Sequence, residues 1–191
     1  MENEIIKQGG VIAFRTDTFY GLGADPFNVT AVARVRALKG REDDKPILLL
    51  ISDIRELDRL IIERTEEFNR IAAKFWPGPL TIIGKAVEEL PDGITAGTKT
   101  VGVRLPNDDG VRRLVRECGG VLTATSANPV GREPARSADD VRAYFPEGLD
   151  LILDGGEVTA TEPSTVLDAI TSPPRVLREG AIRAGDLTAC A

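Results

Sequence analysis

The spacing of apolar residues in this chain alternates between the period of a strand and the period of a helix. Runs of consecutive apolar residues at 11–14 and 47–51 predict buried strands. Between them, Asn28 is a favourable N-cap for a helix that extends to about Leu38 and carries apolar residues on one face. Shorter apolar runs predict further strands at 80–83, 101–105, 121–124, 149–153, 165–168 and 176–178.

Capping residues and stop signals predict the other helices. A helix is expected over 54–62, and another begins near Thr65 and ends at the Trp-Pro-Gly-Pro sequence of 76–79. Two more helices are expected: one is capped at Asp108 and Asp109 and reaches Cys118, and the other begins at Ser137. The segments 16–28 and 88–99 are predicted to be loops, and 88–99 is predicted to be exposed. The order of elements predicts a single α/β domain over 1–191, a mixed β-sheet with helices packed on it.

Composition narrows the class of protein. The net charge of −6 argues against a protein that wraps nucleic acid, which is usually basic. Five cations nevertheless fall close together, and they fit either a local anion site or a solvated helix face: Arg34, Arg36, Lys39, Arg41 and Lys45.

The sequence excludes several kinds of chemistry and indicates a cytoplasmic protein. The two cysteines, Cys118 and Cys190, are too few and too far apart for a disulfide framework or a zinc site. No signal peptide is visible, and no apolar stretch approaches the ~20 residues of a membrane helix. Because the chain has no histidine, it lacks the commonest general base, and chemistry must come from Arg, Lys, Ser, Thr, Asn and carboxylates.

Polar side chains stand at the ends of the predicted elements. Lys39-Gly40-Arg41 ends a helix, where cations either satisfy the last carbonyls or form an anion site. Ser126 and Asn128 lie two residues apart on a segment predicted to be extended, so their side chains are expected to point to the same side and contact one ligand. The alternative is that they form a local turn. The loop after residue 15 contains Thr16, Asp17 and Thr18, which fit either a polar substrate site or a tight turn. Three further polar residues stand at the ends of other predicted strands: Arg104, Ser164 and Arg178. Together these groups predict a pocket for a polyanion such as a nucleotide.

Seven segments in this order resemble the motifs of one family, the YrdC-like threonylcarbamoyl-AMP synthases. They are 15–23 (RTDTFYGLG), 39–41 (KGR), 76–81 (WPGPLT), 103–106 (VRLP), 125–128 (TSAN), 163–166 (PSTV) and 177–181 (LREGA). The resemblance covers about residues 5–183. It implies the short, single-domain type, with a twisted mixed sheet around a concave, positively charged cavity.

The resemblance also implies a reaction. A nucleotidyltransferase of this family converts L-threonine, bicarbonate or CO2, and ATP into L-threonylcarbamoyladenylate and pyrophosphate. The product is used for threonylcarbamoyladenosine modification of tRNA by downstream transferase proteins. Mg2+ would enter with ATP, bound mainly by phosphates and water.

Residue roles follow from the resemblance position by position. The residues implied to hold threonine or its carbamate are Thr18, Arg104, Ser126 and Ser164. Those implied to hold ATP are Arg41, Lys45, Thr100, Asn128, Ser137 and Arg178. Lys39 and Arg41 would stabilise charge in the reaction, with no protein nucleophile and no protein metal ligand.

The chain departs from the family pattern at several positions. Arg15 and Glu42 replace prolines, and the loop 131–137 is one residue longer than usual. Leu50 stands where many longer members have a histidine that contacts threonine, which leaves the amino-acid selectivity open.

Two other functions remain as alternatives. One is a non-catalytic module that binds double-stranded RNA or ribosomes, against which the net charge argues. The other is the carbamoyl-adenylate chemistry of hydrogenase-maturation relatives, against which the length of 191 residues and the two isolated cysteines argue.

Overall fold

A computed structural model describes residues 1–40 and 45–188 of the protein. The strands of this part of the chain are β1 (Ile12–Arg15), β2 (Tyr20–Gly23), β3 (Leu49–Ile51), β4 (Leu80–Lys85), β5 (Thr100–Arg104), β6 (Val121–Thr123), β7 (Thr125–Ser126), β8 (Leu151–Leu153), β9 (Thr165–Asp168) and β10 (Arg175–Arg178). The α-helices are α1 (Glu2–Lys7), α2 (Val29–Lys39), α3 (Glu66–Phe75), α4 (Asp92–Thr95), α5 (Asp109–Glu117), α6 (Ala138–Tyr144) and α7 (Ala184–Thr188), and a 3-10 helix spans Ile54–Arg59. None of these helices is long and apolar enough to cross a membrane.

The strands form two sheets, both of mixed direction. The smaller sheet has the order β7-β2-β1-β8, with β1 antiparallel to β2 and parallel to β8. The larger has the order β10-β9-β4-β5-β3-β6, with β4 parallel to β9 and β3 parallel to β5. The predicted mixed α/β fold is therefore confirmed, although the strands divide between two sheets.

The chain passes from one sheet to the other between β6 and β7. Thr123, at the end of β6, donates its hydroxyl to Leu22 O at 3.0 Å and accepts from Ala24 N at 2.8 Å, which links β6 to the end of β2. Ala124 N donates to Leu48 O at 2.8 Å on the other side. Because these bonds join both sheets at one point, the segment 125–128 that follows has a defined position next to β2.

Alternation along β1 divides the apolar core into two clusters. Val11 and Ala13 belong to the larger cluster, whereas Ile12 and Phe14 belong to a smaller one that also contains Leu50. Successive side chains of a strand point to opposite faces, so one strand contributes to both. The buried run predicted at 11–14 therefore follows from burial of β1 on both faces.

Side-chain caps confirm the predicted helix starts. Asn28, Thr65, Asp108 and Ser137 each accept a hydrogen bond from a backbone N–H in the first turn of α2, α3, α5 and α6. Gly40 ends α2 with φ of 62°, a left-handed conformation that glycine adopts without strain.

Three predictions about local structure are wrong. The helix expected over 54–62 is a 3-10 helix that ends at Arg59, because Ile61 and Ile62 pair with the end of β4 instead. Strand β2 lies inside the predicted loop 16–28, where Gly23 packs so closely on Phe14 that a Cβ would lie 2.7 Å from the ring. The segment 88–99 contains α4, and its Ile94 is buried in the larger core cluster rather than exposed.

Candidate functional site

A cavity of about 610 Å³ is lined by residues of both sheets. In the larger sheet, alternate positions of three neighbouring strands face it: Thr81 and Ile83 of β4, Thr100, Gly102 and Arg104 of β5, and Val166 of β9 with Ser164 just before it. The smaller sheet contributes the β1–β2 connection and β2 itself, with Thr16, Thr18, Tyr20 and Gly21, and Ser126 of β7. The period of two along a strand explains why these residues share one face.

Arg104 is the most deeply buried cation of the cavity, with 2% of its surface exposed. Its Nη1 donates to Asp17 Oδ1 at 2.9 Å and its Nη2 donates to Thr18 Oγ1 at 3.3 Å, whereas its buried Nε has no acceptor among residues 1–40 and 45–188. Burial lowers the pKa of the Arg104 guanidinium, and the carboxylate of Asp17 opposes that shift. The Nε–H of Arg104 is therefore a donor that an anionic ligand can use, since an unpaired buried donor is costly.

Arg178 contributes a second guanidinium to the cavity. Its Nη2 donates to Ser164 O at 2.8 Å and to Ser164 Oγ at 3.3 Å, and Ser164 Oγ lies 2.9 Å from Thr81 Oγ1. Arg178 is exposed as a whole residue, but partial burial of its guanidinium lowers its pKa, and its charge also lowers the pKa of Arg104. A second cation near enough to lower the pKa of Arg104 favours an anion in the same cavity.

The β1–β2 connection serves both as a turn and as part of the site. Thr16 Oγ1 donates to Phe19 O at 2.7 Å and accepts from Thr18 N at 3.1 Å, which closes the turn. Thr18 presents its hydroxyl to Arg104, and Asp17 accepts from Asn107 N at 3.1 Å. The two interpretations of this segment as turn and as polar site are therefore compatible.

Ser126 and Asn128 meet one group, but that group is Lys39. The ammonium of Lys39 donates to Ser126 O at 2.6 Å, to Ser126 Oγ at 3.3 Å and to Asn128 Oδ1 at 3.2 Å. Lys39 is buried, with 3% of its surface exposed, and it is not among the cavity-lining residues. In this structure the ammonium of Lys39 holds the 125–128 segment, and its predicted role in charge stabilisation stays a prediction.

The predicted site residues divide into two groups. Those that line the cavity are Thr18, Thr100, Arg104, Ser126, Ser164 and Arg178. Of the other described ones, Lys45 is exposed beside the cavity residue Pro46, and Lys39 and Asn128 lie behind Ser126. Ser137 caps α6 by accepting from Asp140 N at 3.0 Å. Arg41 lies outside the described residues.

Asn128 is engaged by its own loop as well as by Lys39. Its Nδ2 donates to Arg132 O at 2.6 Å and to Pro129 O at 3.0 Å. The amide therefore fixes the start of the 129–135 loop, whose Glu133 and Pro134 reach the cavity. The predicted contact of Asn128 with ATP stays a prediction.

Two arginines of the wider basic cluster have structural partners. Arg34 pairs with Asp150 at 2.8 Å and donates to Gly9 O at 3.1 Å, and the buried Arg36 donates to Gly93 O at 2.8 Å. Both arginines therefore hold α2 against neighbouring segments, and the solvated helix face expected as the alternative is wrong for Arg36, which is buried.

Sequence reasoning missed several residues of the cavity. Thr81 follows the Trp-Pro-Gly-Pro stop and starts the face of β4, so the strand period could have identified it. Glu133 and Thr161 lie in loops without a periodic signal. Leu50, in the position of the family histidine, packs in the smaller core cluster and is not among the cavity-lining residues.

The donors of the cavity suit a phosphorylated substrate that brings its own metal. The described lining offers two guanidinium groups, several hydroxyls and a single carboxylate, Glu133. Across residues 1–40 and 45–188, no three Cys, Asp or Glu side chains are grouped so that they could hold a metal ion. Mg2+ usually binds with several waters and substrate phosphates, which is compatible with this lining.

The fold and the cavity thus define a two-sheet α/β protein whose cavity has the guanidinium and hydroxyl donors that suit a small anionic ligand. The model of the Sua5/YciO/YrdC family, described as "telomere recombination", matches residues 4–180. The chain therefore belongs to this family.

Two relatives with curated names illustrate the similarity. Threonylcarbamoyl-AMP synthase of Pyrococcus abyssi is 38% identical over 177 residues, which are 93% of this chain and 52% of that protein. Threonylcarbamoyl-AMP synthase of Halorhodospira halophila is 36% identical over 163 residues, 85% of each chain. The chain thus spans about half the length of the first relative and most of the second.

Solved structures show the same fold. The crystal structure of P. abyssi Sua5 complexed with L-threonine superposes with a TM-score of 0.94 at 36% identity, covering 98% of this chain and 55% of that one. Escherichia coli YciO superposes with a TM-score of 0.85 at 28% identity, covering 95% and 88%. The first of these proteins binds L-threonine.

Proposed function

We propose that the protein is a threonylcarbamoyl-AMP synthase, which makes L-threonylcarbamoyladenylate and pyrophosphate from L-threonine, bicarbonate or CO2, and ATP. The observation that carries the proposal is the buried guanidinium of Arg104, whose Nε donates to no acceptor in the part of the chain that the structure describes. The named relatives support the same activity. The proposed reaction class is nucleotidyl transfer. Residues 1–191 are proposed to form a single domain that carries this activity.

The amino acid would occupy the end of the cavity at Arg104. Its carboxylate would accept from Arg104, a planar donor that suits carboxylates. The hydroxyls of Thr18 and Ser126 and, across the cavity, of Ser164 are the polar partners for the rest of threonine or its carbamate. Leu48 and Ala124, which also line the cavity, supply apolar surface for a methyl group.

The triphosphate would occupy the side at Arg178 and Thr100. Arg178 is held by Ser164, so its guanidinium is positioned before ATP binds. Lys45 and Arg41 are proposed to add charge from the segment before β3, and Mg2+ is proposed to enter on the phosphates. Asn128 and Ser137 are also proposed to bind ATP, in addition to holding the 129–135 loop and the start of α6.

The chemistry requires positioning and charge rather than a protein nucleophile. The threonine amine attacks the carbon of CO2 and loses a proton to solvent, or attacks that of bicarbonate with loss of water, and the resulting carbamate oxygen attacks the α-phosphorus of ATP. The bond from the α-phosphorus to the bridging oxygen breaks, and pyrophosphate leaves with the electron pair. Fixed cations at the phosphates stabilise the developing charge, the main term in such transfers.

The product fits a supply role for threonylcarbamoyladenosine modification of tRNA, with downstream transferases as partners. A purely RNA-binding role has less support, because Arg104 is buried and cannot reach the phosphates of a duplex. That alternative predicts salt-sensitive RNA binding without an adenylate product.

The test is a product assay with purified protein, ATP, Mg2+, bicarbonate and one amino acid at a time. We expect pyrophosphate and the carbamoyl adenylate with L-threonine, and loss of both when bicarbonate is omitted. Arg178→Ala should lower turnover by about 10²-fold, as for removal of one charge-stabilising donor. Arg175→Ala is the matched control, because Arg175 is an arginine of the same strand that is not among the cavity-lining residues.

Two results would contradict the proposal. One is pyrophosphate release that does not depend on the amino acid or on bicarbonate. The other is equal turnover in the Arg178→Ala and Arg175→Ala variants. Comparison of L-threonine with L-serine and L-valine in the same assay resolves the selectivity that Leu50 leaves open.

A further inference from the structure

Tyr20, the first residue of β2, connects three separate segments that form the cavity. Its backbone bonds to the 125–128 segment and to the 129–135 loop, and its side chain bonds to the turn at 155–156. We propose that Tyr20 is a positioning residue whose phenol oxygen fixes the cavity wall formed by residues 155–164. The part of this inference that concerns affinity rests on the proposed function.

The backbone of Tyr20 holds two of the three segments. Tyr20 N donates to Ala135 O at 3.1 Å, and Tyr20 O accepts from Ala127 N at 2.8 Å. Ala127 follows the cavity residue Ser126, and Ala135 follows Pro134. These two bonds do not depend on the side chain of residue 20, so substitution leaves them in place.

The phenol oxygen of Tyr20 holds the third segment. It donates to Gly156 O at 2.9 Å and accepts from Gly155 N at 3.1 Å, so one atom satisfies a donor and an acceptor of the same turn. The ring is buried, which leaves the oxygen with this one orientation. Gly156 has φ of 79°, and a Cβ on Gly155 would lie 2.8 Å from Cβ of Arg15, so the turn fits closely against β1.

The wall formed by residues 155–164 is anchored at two further points. Val158 N donates to Arg136 O at 2.8 Å, and Arg136 Nη2 donates to Val158 O at 3.2 Å. Its far end is Ser164, bonded to Arg178 and Thr81. Thr161 and Pro163 line the cavity between these anchors. The phenol oxygen is thus the anchor at the start of a segment that presents three residues to the substrate.

Loss of this anchor should weaken binding more than chemistry. A typical hydrogen bond changes an equilibrium by a few-fold, and two are lost here at a turn that water can reach. We therefore expect Tyr20→Phe to raise the Kd for L-threonine about fivefold and to change kcat less than twofold. A group that touched the reacting atoms would instead lower kcat.

The experiment compares Tyr20→Phe with Tyr144→Phe in the full chain. The chain has two tyrosines, and Tyr144, whose ring packs on Phe145, is the matched control. Hydrogen–deuterium exchange of ligand-free protein should be about tenfold faster in peptides covering 154–163 of Tyr20→Phe, and unchanged in peptides covering 125–135. Tyr144→Phe should match the wild type in both regions. Calorimetric titration with L-threonine then measures the affinity.

Three outcomes overturn the inference. They are unchanged exchange over 154–163, a uniform increase over the whole chain, and faster exchange over 154–163 without a change in L-threonine affinity. If the wild type neither binds L-threonine nor forms the adenylate, the proposed function fails, while exchange over 154–163 still decides whether the phenol oxygen anchors the wall.

Discussion

Replacement of Lys39 by methionine tests whether this lysine supports the structure or binds substrate. Methionine keeps most of the side-chain volume and removes the ammonium. The ammonium donates to Ser126 O, Ser126 Oγ and Asn128 Oδ1 in a buried position. The variant therefore deprives buried acceptors of their donor, and this effect is present without any ligand.

The magnitude follows from the acceptor that loses its donor. Ser126 O still accepts from Asn128 N at 2.9 Å and the hydroxyl of Ser126 can turn to another partner, but Asn128 Oδ1 loses the charged donor of Lys39. An unsatisfied buried polar group costs about 1–3 kcal/mol. We therefore expect Lys39→Met to lower the free energy of unfolding by about 2–3 kcal/mol, a sizeable part of the ~5–15 kcal/mol of a typical domain.

The assay is urea unfolding of ligand-free protein, followed by the fluorescence of Trp76, the only tryptophan of the chain. Lys45→Met is the matched control, because Lys45 is exposed and its loss should change stability by less than about 0.5 kcal/mol. If Lys39→Met unfolds within 1 kcal/mol of the control, the structural role of Lys39 is refuted. A contact with phosphate would then be the better explanation of its position in the sequence motif.

Two further predictions concern Arg104 and Cys118. Arg104→Lys keeps the charge, but a lysine cannot bond to Asp17, Thr18 and a carboxylate together. We therefore expect the affinity for L-threonine, measured by calorimetry, to fall at least tenfold with little change in the affinity for ATP. An equal loss of both affinities would contradict the assignment of Arg104 to threonine. Burial raises the pKa of the Cys118 thiol from 9.0 to about 11. The thiol therefore ionises at a lower pH in the unfolded chain than in the folded protein. The protonated thiol contributes fully to the free energy of unfolding below pH 9, and this contribution is lost as the pH rises to 11. At about 1.4 kcal/mol for each pKa unit, the wild type should lose roughly 2 kcal/mol more than Cys118→Ala between pH 8 and 11 in urea unfolding, and parallel curves would refute it.

Local signals in the sequence were sufficient for most helices. The caps Asn28, Thr65, Asp108 and Ser137 act through a backbone N–H within three residues, so the chain nearby contains all that they need. The apolar runs of β1 and β3 were also recognisable, because both strands are buried on both faces.

Local signals failed where distant partners decide the structure. The strand β2 contains two glycines and was predicted as a loop, yet it pairs with β1 and β7 and its Gly23 packs on Phe14. The helix α4 is one turn long, and it is held because Gly93 fits against Val32 and Arg36 of α2. Neither contact leaves a periodic pattern in the neighbouring sequence.

The sequence by itself determined which side chains are available to the site and that they stand at strand ends: arginines, threonines and serines, with no histidine. Only the tertiary structure decided where each one points. Arg104 and Arg178 line a common cavity. Lys39, which also belongs to a motif that predicts an anion site, donates instead to Ser126 and Asn128 and is not among the cavity-lining residues. The reason is physical: a side chain's type is a local property, but the partner of a buried charge is set by segments more than 80 residues away.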